Sequence, residues 1–508
     1  MSLPGWLDPL HDAESMRSAD SEAIEERGIP SLQLMEAAGE AVARAVREVA
    51  EPGPVRIVCG KGNNGGDGLV AARLLAETGF EVETLLVWPA SELSDDAALN
   101  HGRLDDAGFE VSADDVASAL EGSGCVVDAI FGTGFDGAPR SPALEAIEAM
   151  NGSGAPIVAA DIASGVDAST GEVEGVGVSA SVTVSFHAAK LGHEIAPGKR
   201  STGELRVSDI GIPAGSRSEP PAGTITARVL DRLPRRGAES TKFTSGQVVV
   251  AGASRGLTGS VVLAASAAIR AGAGYATVAV PAELEQIFEV KLTEVMSRGC
   301  ASADGAFAAG ATEEILATCE KAAALVLGPG IGRSDAALGV AREVASGAEV
   351  PLVLDADGLN AHAEALDSLA SRSDPTVITP HAGELGRLLG KDSDEIGAHR
   401  LTSAREAAEL GSCVVVLKGD DTIVAAPGGP VAVSAVEAPA LATAGTGDVL
   451  AGTIGALLAR GMDPFEAACA GVWVNTNAGR IAAERIGVAE SVIASDVIEA
   501  LPGGLGAS

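Results

Sequence analysis

Near the C-terminal end, Thr443 to Gly452 read TAGTGDVLAG. Glycines ahead of an apolar, helix-favouring run leave backbone N–H groups without intrahelical partners, and such a helix start suits phosphate oxygens. Asp448 stands where it would repel that anion. Either the stretch is a capped helix, or its carboxylate acts on something beside a phosphate. Four more stretches accompany it. ALVLGPGIG ends a predicted strand with Gly328, Pro329 and Gly330, and PLVLDADGLN puts Asp355, Asp357 and Asn360 at another strand end. PTVITPHAGELGRLL opens a helix with His381 and Glu384, and VVVLKGDDTIV holds Lys418, Gly419, Asp420, Asp421 and Thr422 in a tight turn. A lysine in such a turn can meet a nucleotide's phosphate. A lone GxGD is as often a helix N-cap as a catalytic loop, but five such motifs in this order are specific.

A second set lies in the N-terminal half. VRIVCGKGNNGGDGLVAARLL places Lys61, Gly62, Asn63, Asn64, Gly65, Gly66 and Asp67 between a strand and a helix. Glycine lets the chain turn sharply and approach a ligand, while asparagine supplies both donors and acceptors. Two more strand ends belong with it, since ligands of open α/β sheets collect outside the carboxyl ends of the strands. They are VVDAIFGTGFDG, with Asp128 and Gly132 to Gly137, and VAADIASGVDASTG, with Asp161, Ser164 and Gly165. Asp161 reads either as a buried acid that moves protons or as a helix cap. Lys190 and His193, in AAKLGHEIAPGK, read as a substrate-side lid or as surface charge.

These residues need strands to carry them. From Gly53 to Val184, short β-rich runs alternate with helix-like stretches, the pattern of βαβ units in a parallel sheet. A second such series begins at Gln247 and ends in a helix opening at Thr446. The Pro-, Gly- and Ser-rich segment Ile210 to Gly223 lies between them, which divides the chain into domains 1–222 and 223–508. The two series are not repeats, because their loop motifs differ. Helical periodicity broken at Gly28 and Pro30 predicts two helices ahead of the first sheet.

Composition narrows the partners. The chain has 508 residues, 46% of them hydrophobic, enough for large cores and for more than one domain. The start MSLPGWLDPLHDAES is not a secretory signal, and no apolar run reaches a membrane span, so a cytoplasmic protein is expected. Six scattered cysteines without CxxC spacing read as buried free thiols, and seven histidines form no zinc motif. With 35 basic and 70 acidic residues the formal charge is −35, which disfavours nucleic acid and anionic membranes. An acid-rich surface with only eight lysines suggests a salt-rich cytoplasm, where a Debye length of ~3 Å at 1 M screens the self-repulsion.

From Ala13 to Pro213, including the LMEAAG helix of Leu34 to Gly39, the sequence resembles the NAD(P)HX epimerase family. The resemblance implies a Rossmann-like three-layer domain whose substrate is hydrated NAD(P)H. It implies substrate contacts from Asn63, Asn64, Gly65, Gly66, Asp67, Gly132, Thr133, Gly134, Phe135, Asp136, Gly137, Ala138 and Asp161, with Asp161 catalytic. Asn64, Asp128 and Ser164 match the family's potassium ligands. From Ile225 to Leu501 the sequence resembles the ADP-dependent (S)-NAD(P)H-hydrate dehydratase family, which implies a ribokinase-like α/β domain. There Lys418, Gly419, Asp420, Asp421, Thr422 and Gly447 would bind the AMP portion, and Ala253, Gly330, His381 and Asp448 the hydrate. Asp448 would take the proton of the hydroxyl that attacks the terminal phosphoryl group of ADP, with magnesium near Asp355, Asp357 or Glu384. NADHX, NADPHX and ADP are then the small-molecule partners, and a homo-oligomer is expected. Ala382 stands where the family has proline, and Leu257 where an aromatic often precedes TG. A ribokinase-like small-molecule kinase fused to a ligand-binding Rossmann-like domain is the alternative.

Overall fold

The structure, a computed structural model, describes residues 3–104, 109–110, 115–213 and 219–506. The chain forms two compact units, one of Pro9–Gly223 and one that joins Leu3–Asp8 to the chain from Thr224 onward. Among the described residues no helix is long and apolar enough to cross a membrane.

The first unit is built on seven strands in the order Phe109–Glu110, Val82–Leu86, Val55–Cys59, Cys125–Ala129, Ile157–Ala160, Val182–Phe186, Glu204–Ser208. All pair in parallel. Strand side chains alternate between faces, so Ile57, Val127 and Val158 join one apolar layer while Val58, Val126 and Ala159 join the other. Helices Ser31–Val49 and Asn63–Glu77 cover the first face and helix Ala143–Gly152 the second. This is the Rossmann-like three-layer arrangement. The chain leaves Val55–Cys59 toward one edge and later returns to its other side at Cys125–Ala129. A crevice opens at such a switch point, which is where ligands gather.

The two expected leading helices are Ala13–Ser21, with a capping box made by Asp12 and Ser15, and Ser31–Val49; Gly28 turns the chain between them at φ +69°. A strand absent from the sequence reading, Leu7–Leu10, comes before both. Helix Asn63–Glu77 begins earlier than expected, so Asn63 to Asp67 form its first turn rather than a loop.

The second unit repeats the logic on a larger sheet. Met296–Cys300, Tyr275–Pro281, Gln247–Ala251, Ala324–Leu327, Leu352–Leu354, Thr376–Ile378 and Val414–Leu417 run parallel, and Ile423–Ala425 and Val431–Val433 follow antiparallel. Ala222–Ile225 and Leu7–Leu10 complete the eleven strands. The switch point lies between Gln247–Ala251 and Ala324–Leu327, the strands that lead to Ala253 and to Gly328–Gly330. Helix Thr446–Ala459 is buried almost throughout: Gly455 lies against Val326 and Val248 of the sheet, and Ile454 and Leu457 belong to the same core.

Candidate active sites

A cavity of about 760 Å³ opens at the first unit's switch point. Asn63, Asn64 and Asp67 reach it from the first helical turn, Gly132, Thr133, Gly134, Phe135 and Asp136 from the loop after Cys125–Ala129, and Asp161 from the end of the next strand. Phe135 stacks on Phe131 with ring centroids 4.4 Å apart, an apolar wall for a flat ligand. Gly65, Gly66, Gly137 and Ala138 lie outside this lining. Gly65 has a packing reason instead: a Cβ there would stand 1.9 Å from the Gly60 carbonyl oxygen.

Asp161 is not a helix cap. It follows strand Ile157–Ala160 in the left-handed region, φ +68°, a costly conformation for aspartate that its neighbours hold in place. Thr133 donates to its Oδ2 through both N–H (2.9 Å) and Oγ1 (2.6 Å). Lys190 Nζ lies 2.5 Å from its Oδ1 and also donates to Ser185 Oγ and the Phe186 carbonyl. Lys190 is fully buried and His193 nearly so, which overturns both sequence readings of this pair, the lid and the surface charge. A lysine reaches the interior only with a counter-charge and full hydrogen bonding, and Asp161 is that partner. The His193 imidazole accepts from the Lys190 N–H at Nδ1 (3.0 Å), and Nε2 meets the Asp161 carbonyl at 3.1 Å. Burial and the nearby ammonium push that imidazole down to about 3, so it is neutral and its Nε2–H donates.

The carboxyls around the cleft divide into two kinds. Burial alone would raise Asp161, but the Lys190 charge and the hydrogen bonds outweigh it and hold the group below the usual carboxylate range. Asp67 goes the other way, well above that range, through burial and then the charges of Asp161 and Asp20. Asp20, on helix Ala13–Ser21, also lines the cavity, and burial followed by Asp161 raises it to about 6. Sequence reasoning missed Asp20, since it falls in a helix with no motif around it.

Behind the cleft, Asp128 and Ser164 are fully buried. Ser164 donates from N–H to Asp128 Oδ2 (2.8 Å) and from its hydroxyl to Oδ1 (2.6 Å). Phe131 N–H donates to Ser164 Oγ at 2.9 Å, and Asn64 Nδ2 donates to the Phe131 carbonyl at 2.8 Å. That leaves Asn64 Oδ1 buried with no donor. An orphaned oxygen, a carboxylate raised to about 6 by burial, a hydroxyl and a carbonyl make a hard oxygen set that fits a potassium ion.

In the second unit Gly445, at φ +92°, starts helix Thr446–Ala459, and no side chain caps it. The capped-helix reading of TAGTGD therefore fails: Thr446 N–H donates to the Thr443 carbonyl, and the Gly447 and Asp448 amides that follow face the helix entrance. A cavity of about 550 Å³ lies against this entrance, lined by Lys418, Gly419, Asp420, Thr422, Thr446 and Gly447 among others. Lys418 Nζ stands 3.5 Å from where a Gly447 Cβ would be. It also reaches Asp355 Oδ1 at 3.1 Å and Glu384 Oε2 at 3.6 Å. Burial opposes the Lys418 charge, but Asp355, Glu384 and Asp448 outweigh it and raise the ammonium's pKa. Burial, then the charge of Asp355, lifts Asp448 to about 7, against the pull of Ser260 and Lys418. A carboxyl near neutrality is suited to a general base.

Other expected residues have different surroundings. Asp421 turns away from the cavity and pairs inside with Arg400, at 2.6 and 2.8 Å, so it shapes the turn and its carboxylate faces no nucleotide. His381 is a helix cap: Nδ1 accepts from the Gly383 and Glu384 N–H groups, and Glu384 accepts from the His381 N–H. Its backbone bridges to Lys418, which places it beside the lysine. Asp357 is engaged with Arg333 and Asn360. Ala253 N–H donates to the Pro329 carbonyl, and Ser254 Oγ to the Gly330 carbonyl, which joins the two switch-point loops. Ala253, Gly330, His381 and Asp448 do not line the 550 Å³ cavity. Among the described residues no group of three or more His, Cys, Asp or Glu could hold a metal, so Asp355, Asp357 and Glu384 do not form a magnesium cage. Asn475, buried on helix Pro464–Ile486, lines the cavity with its Oδ1 unpartnered, and the sequence offered no signal for it.

Comparison with known proteins bears on both halves. Residues 31–192 match the family described as YjeF-related protein N-terminus, and residues 248–503 match the NAD(P)H-hydrate dehydratase family. The chain is 38% identical to the bifunctional NAD(P)H-hydrate repair enzyme Nnr of Moorella thermoacetica, covering 97% of this chain and 96% of that one. It is 37% identical to the enzyme of the same name from Salinibacter ruber, over 97% and 95%. Among solved structures, the ADP/ATP-dependent NAD(P)H-hydrate dehydratase of Bacillus subtilis, co-crystallised with ATP and Mg2+, aligns with a TM-score of 0.47 at 27% identity, over 55% of this chain and 95% of that one. Relatives that carry both halves along nearly their whole length leave no place for the fused-kinase alternative. The chain belongs to the family of bifunctional NAD(P)H-hydrate repair enzymes, with an epimerase half and a ribokinase-like dehydratase half.

Proposed function

We propose that the first cleft interconverts the (R) and (S) forms of hydrated NAD(P)H, and that the second dehydrates the (S) form with ADP as phosphoryl donor. The observation that carries the second step is the meeting of Lys418 and Gly447 at an uncapped helix entrance, with Asp448 one residue further on. The nucleotide's phosphates take the helix amides and the Lys418 ammonium. Asp448 removes the proton of the hydroxyl on carbon 6, whose oxygen then bonds to the terminal phosphorus while AMP departs. The phosphorylated oxygen leaves carbon 6 far more readily than hydroxide, and loss of a ring proton restores the reduced nicotinamide. Magnesium would travel with the nucleotide's phosphates. In the first cleft, potassium held by Asn64, Asp128 and Ser164 would supply a fixed positive charge beneath the substrate loop. A cytoplasmic location and a homo-oligomeric state complete this reading.

The test is stoichiometric. (S)-hydrate and ADP should give reduced nicotinamide, AMP and phosphate in equal amounts by phosphorus NMR, and Asp448→Asn should bind ADP yet release no AMP. Release of AMP at the wild-type rate by that variant would refute the base assignment.

A further inference from the structure

Asp67 and Asp161 line one cavity from different elements, the first turn of helix Asn63–Glu77 and the end of strand Ile157–Ala160. Both are 8% exposed. Their partners differ completely. Asp161 carries the buried Lys190 ammonium on Oδ1 and both donors of Thr133 on Oδ2. Among the described residues none donates a hydrogen bond to the Asp67 carboxyl, and the charges that act on it, Asp161 and Asp20, are negative. One acid is thus favoured as its carboxylate and the other is pushed toward its neutral form, facing the same space, an arrangement that gives a base and an acid their separate roles.

We propose that Asp67 is the proton donor that works with the Asp161 carboxylate in epimerisation, and that inversion proceeds by opening of the ring. This rests on the reading of the first cleft given above. Carbon 6 of the hydrate bears both the hydroxyl and the ring nitrogen N1. Asp161 takes the hydroxyl proton, the carbon–oxygen bond becomes a carbonyl, and the C6–N1 bond breaks with its electron pair passing to N1. Asp67 gives its proton to N1. Rotation about C5–C6 presents the other carbonyl face, and N1 attacks it. N1 returns its proton to Asp67, and the oxygen recovers its proton from Asp161. Both carboxyls end as they began, and no water enters or leaves. If instead Asp67 protonated a departing hydroxyl and Asp161 took a proton from water returning to the opposite face, the pair would end with Asp67 ionised and Asp161 protonated beside Lys190, against the charge pattern of the site.

The test uses the full-length protein and (R)-hydrate with a heavy-oxygen label on carbon 6, without nucleotide. The (S) form should appear with its label retained, well above the enzyme-free rate. Label washed out at the rate of inversion overturns ring opening. Asp67→Asn should slow inversion about 100-fold or more, while ADP-dependent consumption of pure (S)-hydrate is unchanged. Should the asparagine variant lose its folded N-terminal unit, Asp67→Ser gives the same measurement, and the labelling result on the wild type stands independently. Inversion at the wild-type rate in a folded Asp67 variant overturns the donor assignment. If Asp161→Asn also inverts at the wild-type rate, the reading of the cleft itself fails; if only the Asp67 variant does, the donor alone is wrong.

Discussion

Replacing Asp448 by asparagine should abolish dehydration and, at the same time, stabilise the second unit. In the folded chain burial raises this carboxyl from 3.8 to about 7. Those values are about three tenfold steps apart at about 1.4 kcal/mol each, so ionising Asp448 in place costs about 4 kcal/mol. Its raised folded pKa means that folding favours the protonated form. Below pH 3.8 the folded and unfolded chains both carry the proton, and the cost is absent. As the pH climbs, the unfolded chain ionises first and the folded state loses relative stability, until the full cost is reached above about pH 7. Asparagine keeps the shape and the link to Ser260 without that cost. Urea unfolding of the two proteins should therefore show the variant ahead by about 4 kcal/mol near pH 8 and by about 2 kcal/mol near pH 5.5. A variant no more stable than the wild type near pH 8, or an advantage that does not grow with pH, would refute the reasoning.

Other consequences follow from the same geometry. The dehydratase rate should fall about tenfold for each pH unit below about 7, and Lys418→Met should move that inflection upward, since the lysine pulls Asp448 down; an unmoved inflection would remove Lys418 from the site's electrostatics. Lys190→Met strands the buried Asp161 carboxylate and should cost about 3–5 kcal/mol, most of it recovered by adding Asp161→Asn; a double variant as unstable as the single one would deny the pairing. Asn475→Ala should weaken ADP binding about fivefold, about 1 kcal/mol, as measured by calorimetry, with the rate at saturating ADP unchanged. With a formal charge of −35, the chain should unfold at higher temperature in molar KCl than in dilute buffer, and equal or lower stability there would reject adaptation to salt.

Much of this was legible in the sequence because strand ends in parallel sheets announce themselves. Apolar runs such as VRIVC and CVVDA stop at glycines and acids, and those stops are the catalytic edge. Lys190 was not legible, since its burial depends on an acid 29 positions away whose left-handed backbone aims it at the lysine. The direction of Asp421 was hidden likewise: in LKGDDT both acids read as nucleotide contacts, and the buried Arg400 draws Asp421 inward. The early start of helix Asn63–Glu77 runs against the weak helix propensity of NNGG, and Gly65 is required there because a Cβ would stand 1.9 Å from the Gly60 carbonyl oxygen. Strand Leu7–Leu10 escaped notice because Asp8 and Pro9 interrupt its apolar pattern, which an edge strand tolerates.

The claim that the chain holds two cooperating sites is tested most directly by giving the full-length protein an equal mixture of both hydrate epimers with excess ADP and following the absorbance of reduced nicotinamide. The wild type should recover the whole signal, while Asp161→Asn should pause once the (S) share is spent and continue only at the spontaneous rate of inversion. A wild-type trace that pauses at the same point would contradict the first site, and no recovery at all would contradict the second.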